Sequence, residues 1–278
     1  MVKHLLFYWY VPEKGWNKIY DLHIDNLHIY KDSFDKVTFI ISTDDIDTED
    51  YKNNINYTVD KLKSVFSDAE FKEYRNDKKT RESAYFYGEV LDKLDEFPEN
   101  EILFFAHNKG VDSWYAGNRL TTWINMMYFA NLHDVKKIKS YFDMETVCCA
   151  GTYTIMNLKA WNFLKYMWHY SGTFFWISPS RLSKYIKESK EKIPPIGRYS
   201  TEGLLGSILP NDDKYRIALY GRAREVHLGN TWIKDNMPQE DILEYEKLYG
   251  KLELTTGRTS PIRASFWQGP KPVVIKKI

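Results

Sequence analysis

The sequence of 278 residues holds only two cysteines, Cys148 and Cys149, and they are adjacent. Neighbouring cysteines seldom bridge because the short ring strains the backbone, and no C-x-x-C spacing occurs, which excludes a disulfide framework and a structural zinc site. The expected setting is a reducing compartment, the cytoplasm. Long apolar runs are also missing, and none approaches the ~18 residues that a membrane-spanning helix needs. The opening MVKHLLFYWYV meets Pro12-Glu13-Lys14 instead of a small-residue cleavage site, so it reads as a buried strand and not as a signal peptide. Charge of one sign is lacking too: Lys+Arg 39 against Asp+Glu 38 leaves +1, with no basic excess to advertise nucleic acid or an anionic membrane as partner. Neither G-x-G-x-x-G nor G-x-x-x-x-G-K-[ST] occurs, which removes local support for a dinucleotide fold or a P-loop.

Aromatic residues are abundant, at 16% with 9 Trp and 21 Tyr. They suit sugar-stacking platforms, although most such rings serve as core. Apolar runs at Lys3 to Val11, Lys36 to Ser42, Glu70 to Tyr74 and from Glu101 read as strands. Between them, the segments Asn17 to Phe34, Tyr51 to Phe66 and Thr80 to Leu94 have helical spacing. This alternation predicts an α/β fold, a mostly parallel central sheet flanked by helices, with a mixed C-terminal half. In that half, Arg119 to Leu132 and Val135 to Phe142 read as helices, and Thr146 to Met156 and Gly172 to Ile177 as strands. Next come a helix from Ser178 (N-cap) and Pro179, a short helix at Ser200, a strand Tyr215 to Tyr220, a helix Pro238 to Tyr249, and a tail. One domain is expected, with residues 1–115 as a donor half, 145–230 as an acceptor half and 250–278 as a C-terminal tail.

The organising stretch is Glu101 to Val111, EILFFAHNKGV. A buried strand delivers His107, Asn108 and Lys109 to one edge, and in open α/β sheets ligands bind beyond the carboxyl ends of the strands. Lys109 beside the permissive Gly110 suits a phosphate; an ordinary surface turn is the plainer alternative. An enzyme using a nucleotide sugar needs a nucleoside slot, positive charge for the diphosphate and a carboxylate base. The ends of the first two strands are candidates for the slot, with Asp44 or Asp45 accepting from base or ribose and Tyr10 stacking. Two readings of the diphosphate site remain. In the first, Lys109 with Arg81 replaces a metal, so that no cofactor is required. In the second, Asp45 and Asp47 of an Asp-x-Asp hold manganese or magnesium. The first is favoured because a lysine where the ion would sit repels it. Asp47 to Asp50 also fit an ordinary helix start.

Three segments in order, ILFFAHNKG, HYSGTFFWISPSRLSKYI (His169 to Ile186) and RYSTEGLLG (Arg198 to Gly206), resemble a group of glycan-assembly glycosyltransferases with a GT-A-like fold. The likeness spans roughly residues 80 to 210. It departs from that pattern in having Phe175-Trp176 where those enzymes carry a Trp pair. The resemblance implies transfer of a sugar from a nucleotide-sugar donor, of the UDP-sugar kind, to a saccharide acceptor. His107 and Lys109 would face the donor, and His169, Gly172, Thr173 and Trp176 would line the acceptor side. Glu202 would be the general base of an inverting displacement. Glu202 also fits a capping position and His169 a satisfied polar residue at a strand entrance, while Arg81 and Glu82, candidates for donor phosphate and sugar, also fit a solvated helix face. A non-catalytic carbohydrate-binding protein and a nucleotide phosphohydrolase using His107 are the rival readings.

Overall fold

The computed structural model describes residues 1–13, 18–108, 110–111, 118–156, 168–197, 200–223 and 237–250. In chain order the elements are β1 (Val2–Val11), α1 (Lys18–Ile29), β2 (Lys36–Thr43), α2 (Glu49–Val65), β3 (Glu70–Arg75), α3 (Glu82–Phe86) and β4 (Glu101–His107). The second half adds α4 (Asn118–Leu132), α5 (Val135–Tyr141), β5 (Cys149–Met156), β6 (Trp168–Tyr170), β7 (Phe175–Ile177), α6 (Pro179–Ser189), α7 (Ser200–Ile208), β8 (Arg216–Ala223) and α8 (Gln239–Tyr249). The eight strands form one sheet in the order β3-β2-β1-β4-β7-β5-β6, with β8 paired to β5. The pairs β1–β2, β2–β3, β1–β4 and β5–β8 are parallel, while β4–β7, β5–β7 and β5–β6 are antiparallel. The expected α/β class and the mixed second half are therefore present.

Strands β1 and β4 are apolar without alternation because both faces of the sheet are covered. Leu5, Phe7, Trp9 and Val11 of β1, with Ile102, Phe104 and Ala106 of β4, pack against α1, α2, α4, α5 and α8. Leu6 and Tyr8, with Leu103 and Phe105, pack against α3, α6 and α7 on the other face. Side chains of this size contribute about 1.5–3 kcal/mol each when buried, so the two faces together dominate the stability of the sheet.

The local differences from the sequence reading have physical causes. The first expected helix stops at Ile29, short of Phe34, and continues as a 3₁₀ turn at Lys31–Ser33. The third begins only after Arg81, which has φ 49°, and passes into a π-helical turn at Tyr87–Leu91. Thr48, not an acid, caps α2 by accepting from the Tyr51 amide. Ser178 does precede α6, with Pro179 in its first turn, but its hydroxyl makes no capping bond. Gly172 lies in a tight 3₁₀ turn before β7 and not in the strand. Among the described residues no helix is long and apolar enough to cross a membrane.

Candidate functional site

The parallel order β3-β2-β1-β4 places successive connections on opposite sides of β1, so the β1/β4 boundary is a topological switch point, where ligands of open α/β sheets bind. Its carboxyl edge is built from the ends of β1, β2, β3 and β4. Asn108 continues the ladder there with its side chain: its Nδ2 donates to the Tyr10 carbonyl at 2.8 Å, and its Oδ1 accepts from the Tyr10 amide at 3.0 Å. Both ends of the buried amide are thereby engaged with β1. This corrects the expectation of a donor contact for Asn108, whose role here is to hold the strand ends together.

A second cluster closes the β1/β2/β3 end. The Tyr10 hydroxyl donates to Asp44 Oδ2 at 2.8 Å, and Asn76 Nδ2 donates to Asp44 Oδ1 at 2.8 Å. The Tyr8 and Ser42 hydroxyls are 2.5 Å apart, and burial holds the Tyr8 hydroxyl protonated well above the usual phenol range. Asp44, with its side chain 7% exposed, is thus oriented by Tyr10 and Asn76. Asp45 and Asp47 point outward: Asp45 pairs with Arg75 at 2.5 Å, and Asp47 with Lys52 at 2.7 Å. The Lys52 ammonium holds the Asp47 carboxyl below its ordinary range. An ion bridging these two acids would have to displace both cations.

The third cluster brings the two halves together. Because β7 runs antiparallel to β4, with Phe105 opposite Phe175, the turn preceding β7 falls at the carboxyl end of β4. His107 Nδ1 lies 3.8 Å from Glu82 Oε1, and the His107 ring is 6.3 Å from that of Phe174. The Gly172 amide donates to Glu202 Oε1 at 3.2 Å. Gly172 has φ 75°, and a Cβ there would lie 2.6 Å from the Trp123 ring, so both its conformation and its crowding require glycine. Thr173 follows at φ 59°, a conformation that a β-branched residue rarely takes. Glu202 stands in the first turn of α7. That helix lies so close to β6 that a Cβ on Gly206 would fall 1.6 Å from the Trp168 carbonyl.

The structure therefore gathers His107, Gly172 and Glu202 with Glu82, and sets Tyr10 and Asp44 farther along the same edge. Trp176 is different. It is opposite Phe104 in the sheet, fully buried, stacked on Phe34 and tilted against Phe104, and donates from Nε1 to the Asn131 carbonyl at 3.0 Å. Trp176 is a core residue, which corrects its assignment to the acceptor side: the pleat turns it inward. His169 and Thr173 are likewise buried, and the His169 Nδ1 lies 3.2 Å from the Tyr170 carbonyl, so they shape the turn from behind. Arg81 immediately precedes Glu82. Lys109, Arg198 and the tail from residue 251 lie outside the described residues. Glu82 comes from the helix start that also supplies Arg81, whereas Ser83 is a partner that sequence reasoning missed, because nothing local in the Thr80 to Leu94 segment marks it.

A cavity of about 250 Å³ opens at the opposite edge of the sheet, beside His4, Thr38, Glu70, Tyr85 and Glu101. Its polar floor is engaged internally: His4 Nδ1 is 2.7 Å from Glu101 Oε1, His4 Nε2 is 2.9 Å from Thr38 Oγ1, and Thr38 donates to Glu70 at 3.1 Å. That edge holds the amino ends of the parallel strands, away from the switch point.

No protein-family model and no curated protein matches the chain. Among solved structures, 4-diphosphocytidyl-2C-methyl-D-erythritol synthase is similar over 89% of this chain and 99% of its own, at 10% identity and a TM-score of 0.37. A likeness at that level carries no argument about activity.

Proposed function

We propose that the protein is a glycosyltransferase that moves a sugar from a nucleotide-sugar donor to a saccharide acceptor at the carboxyl edge of the sheet. The observation that carries this reading is the Gly172–Glu202 hydrogen bond. It joins two segments, each part of one of the three stretches that resemble glycan-assembly glycosyltransferases, next to the His107 of the first. In this reading the nucleoside binds along the Tyr10 and Asp44 end, and Lys109 with His107 faces the diphosphate. Glu202, held through one carboxylate oxygen by Gly172, takes the acceptor proton through the other as the acceptor oxygen attacks the anomeric carbon in line. The nucleoside diphosphate departs with the bonding electron pair, its charge met by Lys109. Arg75 and Lys52, seated on Asp45 and Asp47, favour lysine over a metal ion as the counter-charge.

The test is a panel of UDP-, GDP- and CMP-sugars with a coupled assay for released nucleotide, with and without mixed oligosaccharide acceptors, in chelator and in manganese. Release that rises with acceptor supports transfer. Free phosphate released from nucleotides without acceptor supports the hydrolase reading instead, and saccharide binding without any nucleotide release supports the binding-protein reading.

A further inference from the structure

We propose that Ser83 is a positioning residue that sets the register between the two acids of this site, Glu82 beside His107 and Glu202 beside Gly172; the proposal rests on the transfer reading above. Ser83 is completely buried. Its hydroxyl oxygen accepts from the Thr201 amide at 3.2 Å and lies 3.0 Å from the Thr201 hydroxyl. The first turn of any α-helix leaves amide groups without an intrahelical carbonyl, and a side chain just ahead of the helix ordinarily supplies the acceptor. For α7 the acceptor comes from α3, 118 residues earlier, while the Ser200 hydroxyl turns back to the Gly197 amide at 2.6 Å. These two contacts tie the residue next to Glu202 to the residue next to Glu82.

The backbone at Arg81 points the same way. With φ 49° and ψ −132°, Arg81 occupies a region that glycine fills readily and residues with a Cβ seldom do. The loop before it is braced by Asp77, whose carbonyl accepts from the Arg81 amide at 2.6 Å. The sharp entry it creates sends consecutive side chains in two directions, Glu82 toward His107 and Ser83 toward Thr201. Beyond Thr201, Glu202 is held by Gly172, and Gly172 is confined by the Trp123 ring. The path His107, Glu82, Ser83, Thr201, Glu202, Gly172 therefore crosses from the donor half to the acceptor half through the Ser83 hydroxyl, alongside the β4–β7 pairing. Bond-forming geometry is sensitive to displacements of about 1 Å, so the placement of Glu202 against a bound donor depends on that hydroxyl.

Two readouts test it. The Gly172 amide resonance reports the position of Glu202 in the ligand-free protein, and steady-state kinetics on whichever panel sugar nucleotide the wild type turns over report catalysis. Ser83→Ala is expected to shift the Gly172 resonance and to lower kcat by roughly 10²-fold with donor KM unchanged, while Ser83→Thr, which keeps the hydroxyl, recovers most of both. An unmoved Gly172 resonance, or wild-type kcat in Ser83→Ala, overturns the assignment. Should the alanine variant fail to fold, Ser83→Cys, of similar volume and weaker acceptor strength, is read by the same criteria. A wild type silent on every sugar nucleotide, with Gly172 still responding to Ser83→Ala, retires the transfer reading and leaves the register role standing.

Discussion

The two edges of the parallel half of the sheet each carry a histidine–glutamate pair, and the pairs differ in construction. At the amino edge His4 and Glu101 meet at 2.7 Å with side chains 6% exposed, and the chain of contacts continues through Thr38 to Glu70. At the carboxyl edge His107 and Glu82 stand 3.8 Å apart with side chains 12% and 14% exposed. The backbone differs as well. Arg81 and Thr173, both at positive φ, flank the carboxyl-edge cluster, and strain of this kind costs about 1–3 kcal/mol per residue and persists where the surroundings enforce it. The amino edge is built as a brace; the carboxyl edge spends conformational energy on holding polar groups in place, which is the pattern of a site.

Of the changes that test this contrast, Glu202→Gln gives the largest effect. It should lower kcat by about 10² to 10⁴, the range for a positioned general base, with little change in stability; near-normal turnover in the variant would remove Glu202 from the mechanism. The matched change at the other edge, Glu101→Ala, leaves a buried partner unsatisfied. It should cost about 1–3 kcal/mol of folding stability in denaturant titrations while activity per folded molecule stays at the wild-type level. A loss of activity there beyond the loss of folded protein would erase the distinction between the edges.

Much of the scaffold was legible because burial on both faces leaves unbroken apolar runs: β1, β2 and β4 were visible in LLFYWYV, VTFII and ILFFA. The position of His107 at a strand end followed from the same signal. Three-residue β6, Trp168–Tyr170, is too short to show a period. Asn108 looked like a ligand contact because polarity at a strand end is all that a sequence reveals; its amide completing the β1 ladder is a tertiary fact. Trp176 was misplaced for a related reason, since the face it takes depends on its pairing with Phe104 across the sheet. Ser83 and Thr201 carry no local mark of their partnership, because only the packing of α3 on α7 brings them together.

Two smaller effects sharpen the same contrast. Lys109→Ala should raise donor KM by about tenfold or more, as expected for loss of a charged contact to phosphate, and wild-type activity should persist in chelator; strict dependence on added manganese would move the counter-charge to Asp45 and Asp47. The smallest effect concerns the cysteines. Burial pushes the Cys148 thiol up to about 12 and holds Cys149 higher still, so the reactive thiolate forms only in strong alkali. A thiol-specific colorimetric reagent at pH 8 should therefore modify neither until the protein unfolds, whereas rapid labelling of the folded protein would show the β5 end of the sheet to be open.

The most direct measurement compares the two histidines during one titration. With a sugar nucleotide added to isotope-labelled protein, side-chain resonances of His107 are expected to shift in a saturable way while those of His4 stay in place. Saturable shifts at His4 with His107 unmoved would put the ligand at the amino edge and contradict the account.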